Sequence, residues 1–253
     1  MNITFLGTGT SHGIPVVGCT CNVCSSADFR DNRMRSSVLI KENNTTFAID
    51  CGPDFRHQML KNRIYSLDAI LFTHEHRDHT SGIDDIRGYN FALNRPMDIY
   101  AHARVIKYFE SSYQYIFTDK KYPGVPQIEL FEIDINRFKI NDLHIIPIEV
   151  MHHKLPVFGY RIGNFTYITD ANYISEAEEQ KIIGSEVIVI NGLQHDYHIA
   201  HYTFAEALAL IHKWKPRLAY ITHISHKLGM HREVEEKLPA WIRLAYDGLS
   251  FEI

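Results

Sequence analysis

The sequence predicts an α/β protein in which two mixed β-sheets pack face to face with helices on the outside. Three observations carry that reading: a strand-rich first half, a second half that alternates helix and strand, and polar clusters that fall where strands end. Asn2 to Leu6 reads as the first strand, closed by the glycine turn Gly7-Thr8-Gly9-Thr10-Ser11-His12-Gly13-Ile14-Pro15. Ser36 to Lys41 and Thr45 to Asp50 form a hairpin across Asn43-Asn44. Pro53 opens a helix that runs to about Asn62, and Asp68 to Phe72 is a buried apolar strand leading straight into Thr73-His74.

Beyond this point come a short strand at Ile99-Tyr100, a helix from Ala103 to Tyr113 and a loop from Asp119 to Pro126. Strands follow at Ile128 to Phe131 and Leu143 to Val150. A strand pair, Val157 to Ile162 and Phe165 to Thr169, turns at Gly163-Asn164. The rest alternates: helix Ser175 to Ile182, strand Val187 to Ile190, helix Phe204 to Trp214, strand Leu218 to Thr222. No linker or repeat interrupts the chain, so residues 1–253 read as one domain.

With 45% hydrophobic and 22% charged residues, the composition excludes disordered and fibrous classes. A net charge of −4 gives no basic footprint, which disfavours a partner such as long nucleic acid. No apolar run is long enough for a membrane span and the amino terminus does not resemble a signal peptide, so a cytoplasmic protein without a membrane partner is expected. The sequence leaves room for a homodimer. Four cysteines do not make a disulfide framework; three crowd into Cys19-Thr20-Cys21-Asn22-Val23-Cys24, a pattern that points to metal.

Sixteen histidines are the compositional anomaly, and they cluster with aspartates. Thr73-His74-Glu75-His76-Arg77-Asp78-His79 packs three imidazoles and a carboxylate directly after a buried strand. Neutral imidazole is the commonest protein metal ligand, and so dense a group has few other partners for its ring nitrogens. His74 and His76 point the same way from an extended segment, while Asp78 and His79 turn toward a second position as a helix begins. The glycine turn after the first strand does not have dinucleotide-binding spacing, and Pro15 stands where the helix of that motif would start.

The His-x-His-x-Asp-His string resembles the signature of the metallo-β-lactamase superfamily, whose fold is a four-layer αββα sandwich. The resemblance extends over nearly the whole chain and implies a third histidine after a later strand, met here by His152 or its neighbour His153, with His152 favoured. It implies a bridging aspartate at the end of an apolar strand, met by Asp170, and a last ligand, met by His223. Leu6 to Pro15 resembles the amino terminus of the phosphodiesterase branch that holds tRNase Z and the PhnP-type cyclic phosphodiesterases. In PhnP-type proteins an amino-terminal cysteine trio and a histidine three residues beyond the last active-site ligand look the same, so Cys19, Cys21, Cys24 and His226 are expected to hold a structural zinc. A histidine before a late helix is the general acid in this branch; His201 matches it, with His195 and His198 close by.

The resemblance implies a dinuclear hydrolase. One divalent ion, zinc or manganese, would sit on His74, His76 and His152 and the other on Asp78, His79 and His223, bridged by Asp170. Paired cations lower the pKa of a water for attack on phosphorus, and His201 would protonate the leaving oxygen; Asp78 and His201 are the residues expected to carry catalysis. The expected substrate is a small, cyclic phosphodiester, with Asp119-Lys120-Lys121-Tyr122 as a basic and aromatic rim. The alternatives are an RNA 3′-end endonuclease of the tRNase Z kind, thioester or lactam hydrolysis, and a non-catalytic cofactor-biosynthesis role of the PqqB kind.

Overall fold

The computed structural model describes residues 1–118 and 122–253. Its strands are β1 (Asn2–Gly7), β2 (Ser37–Glu42), β3 (Thr45–Ile49), β4 (Ala69–Leu71), β5 (Met97–His102), β6 (Ile128–Ile133), β7 (Phe138–Ile140), β8 (Leu143–His152), β9 (Leu155–Ile162), β10 (Phe165–Tyr167), β11 (Tyr173–Ile174), β12 (Val187–Asn191), β13 (Leu218–Thr222), β14 (Ile242–Leu244) and β15 (Ser250–Glu252). The first sheet runs β15-β1-β2-β3-β4-β5-β6; the second runs β11-β8-β9-β10-β12-β13-β14, with β7 on β8. Each sheet joins an antiparallel part to a parallel part, so both are mixed: β3, β4, β5 and β6 run parallel in one, β10, β12, β13 and β14 in the other.

Alternation along the strands explains the layering. Ile3, Phe5, Val38, Ile40, Phe47 and Ile49 face Ile145, Tyr160, Tyr167, Val187 and Val189 in a core between the sheets. The opposite faces are also apolar: Leu39, Ala48, Ile70 and Ile99 bury against helices α1 (Phe55–Lys61) and α4 (Ala103–Ser112) through Phe55, Met59, Val105 and Phe109. Ile148, Ile188, Ile190 and Ile221 bury against α7 (Phe204–Trp214) through Ala207, Ile211 and Trp214. Strands covered on both faces read as continuous apolar runs, as β12 does over Val187–Asn191. Between α1 and α4 lie α2 (Arg77–Thr80) and α3 (Arg87–Leu93); α5 (Gln114–Phe117), α6 (Glu176–Ile182) and α8 (His231–Glu235) complete the set among the described residues. The expected αββα sandwich is what the chain forms.

The Asn43-Asn44 hairpin has the expected register, with Asn43 at φ 52°. Ser175 accepts from the Glu178 backbone at the start of α6, and Thr203 forms a capping box with Glu206 at α7. The helix expected from Pro53 begins at Phe55. Helix α3, the two-residue β11, and the closing elements α8, β14 and β15 were not expected from local pattern. Among the described residues no helix is long and apolar enough to cross a membrane. Residues 119–121 of the expected basic rim lie outside the described residues; Tyr122 is exposed.

Candidate metal centre

The fold brings the sequence-predicted residues to one edge, where strands from both sheets end. His74 to His79 follow β4 of the first sheet, whereas His152 ends β8, Asp170 follows β10 and His223 follows β13 of the second. Asp170 at φ 57° and His223 at φ 54° take the left-handed conformation, which turns the chain sharply as it leaves each strand. Such a conformation costs a non-glycine residue on the order of 1 kcal/mol and persists where the surroundings over-determine it.

Three overlapping groups of ligand atoms each lie within 4.8 Å: His74, His76 and His152; His74, His79 and Asp170; His152, Asp170 and His201. His74 Nε2 and His76 Nδ1 face each other at 3.0 Å, and the His76 and His152 rings are 5.0 Å apart. The His79 Nε2 atom lies 3.2 Å from both Asp78 Oδ2 and Asp170 Oδ2, yet it is buried without a hydrogen-bond partner. Asp170 faces two ways, with Oδ2 toward His79 and His223 Nδ1 (3.2 Å) and Oδ1 toward His201 Nδ1 (3.7 Å). The His223 ring stacks 6.1 Å from His79 and 4.8 Å from His201. His153 is exposed at φ 56°, turned away, and its backbone N–H donates to Asn172; His152 is the neighbour that joins the cluster. His195 is exposed against Phe204, while the His198 ring lies 4.9 Å from His201.

The outer ring nitrogens are held by groups that sequence reading did not single out. His79 Nδ1 donates to Asp50 Oδ2 at 2.7 Å, and fully buried Asp50 also accepts from the Thr73 backbone and hydroxyl at 2.9–3.0 Å. His152 Nδ1 donates to the Ala200 carbonyl at 2.9 Å, His74 Nδ1 meets Thr73 Oγ1 at 2.9 Å, and His223 Nδ1 lies 3.2 Å from Ser36 Oγ. Fixing one ring nitrogen in this way sets the tautomer and aims the other at a metal. Asp50 carried a signal, since Ile49-Asp50-Cys51-Gly52 ends an apolar strand as Asp170 does. Ser36 and Ala200 carried none.

Electrostatics also fit a cation. Burial holds the pKa values of His74, His76 and His223 below the usual histidine value, so these rings are neutral and ready to ligate. Burial likewise pushes His201 down to about 2. At His79 burial works in the same sense, but Asp78, Asp50 and Asp170 around it prevail and raise its pKa. Burial opposes ionisation of Asp170, yet His223 and His79 beside it hold its carboxyl below the usual range. Three carboxylates around one buried imidazole demand positive charge, which a divalent ion supplies better than a proton.

A second group stands at the rim. Cys19, Cys21 and Cys24 place their sulfurs 3.3, 3.3 and 3.5 Å from His226 Nδ1, four donors converging as a tetrahedral site requires.

The beta-lactamase superfamily domain model matches residues 45–224. A crystal structure described as a new diphosphatase from the PhnP family superposes with a TM-score of 0.93 at 34% identity, covering 100% of this chain and 97% of that one. The chain belongs to the metallo-β-lactamase superfamily, in its PhnP family. This family's fold, together with the His/Asp groups, marks the edge as a divalent-metal site of a hydrolase-type domain. An octanoyltransferase of Porphyromonas gingivalis is 38% identical over 253 residues, 99% of this PhnP-family chain and 51% of that protein. A ribonuclease Z of an Exiguobacterium species is 27% identical over 166 residues, 64% of the chain and 48% of that protein. The chain thus spans about half the length of these curated relatives.

Proposed function

We propose that this chain is a dinuclear metal-dependent hydrolase of small phosphodiesters. His74, His76 and His152 would hold one divalent ion and Asp78, His79 and His223 the other, with Asp170 between them; zinc and manganese both suit this nitrogen and oxygen set. The observation that carries the reading is the shared position of Asp170, which lies within 4.8 Å of ligand atoms of His74 and His79 in one group and of His152 in another. When bound, such a metal pair neutralises phosphoryl oxygens and lowers the pKa of a water. The protein's own groups do the rest. Asp50, Thr73 and Ala200 keep the ligand rings aimed inward. His201, neutral at rest and with Nδ1 buried 3.7 Å from Asp170 Oδ1 without a hydrogen-bond partner, would take up a proton as negative charge builds at the site and pass it to the departing alkoxide, an oxygen too basic to leave unprotonated. Cys19, Cys21, Cys24 and His226 would hold a structural zinc.

The octanoyltransferase name belongs to a protein about twice as long as this match. Acyl transfer through the enzyme needs a nucleophile at the site, and the nearest buried thiol, Cys51, has its pKa pushed well up by burial. A non-catalytic role predicts a damaged ligand set, whereas every expected ligand is present. The test is hydrolysis of a panel of cyclic and linear phosphodiesters and diphosphates by protein of known metal content, beside Asp78→Ala and His201→Ala. Rapid turnover of a cyclic diester, lost in both variants, is expected. Silence across the panel from fully metallated protein overturns the reading, and turnover of precursor tRNA alone moves it to RNA 3′-end cleavage.

A further inference from the structure

Arg104 stands at the start of helix α4, belongs to none of the ligand groups and has no part in the proposed chemistry. Its guanidinium nevertheless joins two pieces of chain that carry ligands of the same ion. Nε donates to Glu75 Oε1 at 2.7 Å, and Nη2 donates to the Pro156 carbonyl at 2.5 Å. Glu75 lies between His74 and His76 in the ligand string; Pro156 faces Met151 in the β8–β9 hairpin, one pair from His152 and Leu155. We infer that Arg104 is a positioning residue of the metal centre, which sets His74 and His76 of the first sheet at the right distance from His152 of the second.

Alternation along the string supplies the lever. His76 is extended, with φ −60° and ψ 146°, and successive side chains leave extended backbone on opposite sides. His74 and His76 therefore point together, with Nε2 and Nδ1 3.0 Å apart, while Glu75 leaves from the back. Among the described residues Arg104 is the only hydrogen-bond partner of the Glu75 carboxylate, whose Oε2 is buried with none. The guanidinium thus grips the string from behind with one donor and the hairpin with another. The remaining bonds from this stretch to β9 fall earlier in the chain: Tyr160 O–H donates to the Phe72 carbonyl at 2.5 Å, and the Phe158 N–H to the Thr73 carbonyl at 3.1 Å. Past Thr73, among the described residues, Arg104 makes the hydrogen bonds that tie the string to the hairpin.

A guanidinium suits this task and an ammonium does not, because its planar fork holds two acceptors in fixed directions at once. The cavity that Arg104 lines with Thr73, His102, Glu149 and Phe158 measures about 10 Å³, room for one water and for no substrate. Arg104 therefore acts through Glu75 and Pro156. Its role rests on the ligand grouping proposed above, in which His74, His76 and His152 share one ion, and it has a selective consequence. Loss of Arg104 loosens that ion and spares both the ion on Asp78, His79 and His223 and the zinc on the cysteines.

The test titrates zinc into the full chain against a competing chelator, for wild type, Arg104→Ala, Arg104→Lys, Glu75→Ala and the double alanine variant, while imidazole nitrogen-15 signals report which rings are filled. Arg104→Ala is expected to lose about 10–100-fold in affinity at the His76 and His152 rings, with less than about threefold change at His79, His223 and His226. Glu75→Ala is expected to reproduce part of that selective loss, and the double variant to lose little more than Arg104→Ala, because the two side chains act as one unit. Arg104→Lys, which keeps the charge and reaches one acceptor, is expected to recover only part of the affinity. Unchanged affinity in Arg104→Ala overturns the role, as does an equal loss at all three sites, the mark of general damage to the fold. Full rescue by Arg104→Lys also overturns it, since charge alone would then suffice. No turnover enters these readings. Wild-type protein that binds both ions and cleaves no diester counts against the phosphodiesterase reading alone, whereas His76 and His152 rings that never respond to zinc overturn the ligand grouping and the role of Arg104 together.

Discussion

Replacing Asp50 by Asn tests how the ligand rings are aimed. The amide matches the carboxylate in shape, and Asn tolerates the φ of 67° found at position 50, so the backbone is expected to stay in place. Thr73 donates from its backbone and hydroxyl to Asp50 Oδ1, so the Asn oxygen is expected there. The amide NH₂ then meets His79 Nδ1 across the present 2.7 Å contact. Two donors cannot share that contact. The ring must move its proton to Nε2, the atom now 3.2 Å from Asp78 and Asp170, and a protonated nitrogen cannot ligate. The loss expected for disturbing such a partner is about 10–100-fold in metal affinity, or roughly 1.4–2.8 kcal/mol. For a chain of 253 residues that corresponds to a fall of roughly 3–11 °C in the metal-loaded Tm, with a smaller change without metal. Chelator competition gives the affinity, and nitrogen-15 spectra of the imidazoles give the tautomer. Wild-type affinity in Asp50→Asn, or a His79 ring still protonated at Nδ1, would refute the reasoning.

Three further outcomes are expected. His201→Ala should slow diesters with alkyl leaving groups by about 10²–10⁴-fold and nitrophenyl diesters far less, because only the poorer leaving group needs a proton; equal losses in a leaving-group series would remove the acid role. Gly52→Ala should destabilise the fold by about 1–3 kcal/mol and weaken metal binding, since the new methyl would meet the Asp78 carbonyl at 2.0 Å; an unchanged denaturation midpoint contradicts this. Burial raises Asp247 from 3.8 to about 6, so the folded state binds more protons than the unfolded chain between those values. Stability from this group is therefore greatest below pH 3.8 and falls by roughly 3 kcal/mol as pH rises to 6. Asp247→Asn should flatten that slope in urea titrations, and an unaltered slope would show that another group sets it.

Much of this architecture is legible in the chain because both sheets are buried on two faces. That burial turns β4, β12 and β13 into short apolar runs whose ends are marked by His74, Gly192 and His223. The ligand string is legible for a related reason: imidazoles and carboxylates that dense have few uses besides metal. Helix α3 was missed because Gly82, Gly88 and the pair Asp84-Asp85 weaken the local helical signal, while burial of Ile83, Ile86 and Tyr89 against the sheet supplies what propensity lacks. Strands β14 and β15 are three residues each and exist only because partners from β13 and β1 are present. At the site, sequence can name His152 and His153 as rivals. Only the turn of the β8–β9 hairpin, which sends His153 into a left-handed conformation, separates them. Asp50 shows the converse case, a readable pattern whose partner lies 29 residues away.

The division of donors between the two sheets has a mechanical consequence. Four of the seven proposed active-site ligands hang from the first sheet and three from the second, and the cysteine loop after β1 meets His226 after β13. Every ion bound at this edge therefore acts as a rivet through the sandwich, adding its binding free energy to the docking of one sheet on the other. Stripped of metal, the protein should breathe first along this seam while the apolar interior stays shut, and amide exchange near His79, Asp170 and His226 would then serve as a gauge of how well the cell supplies it with metal.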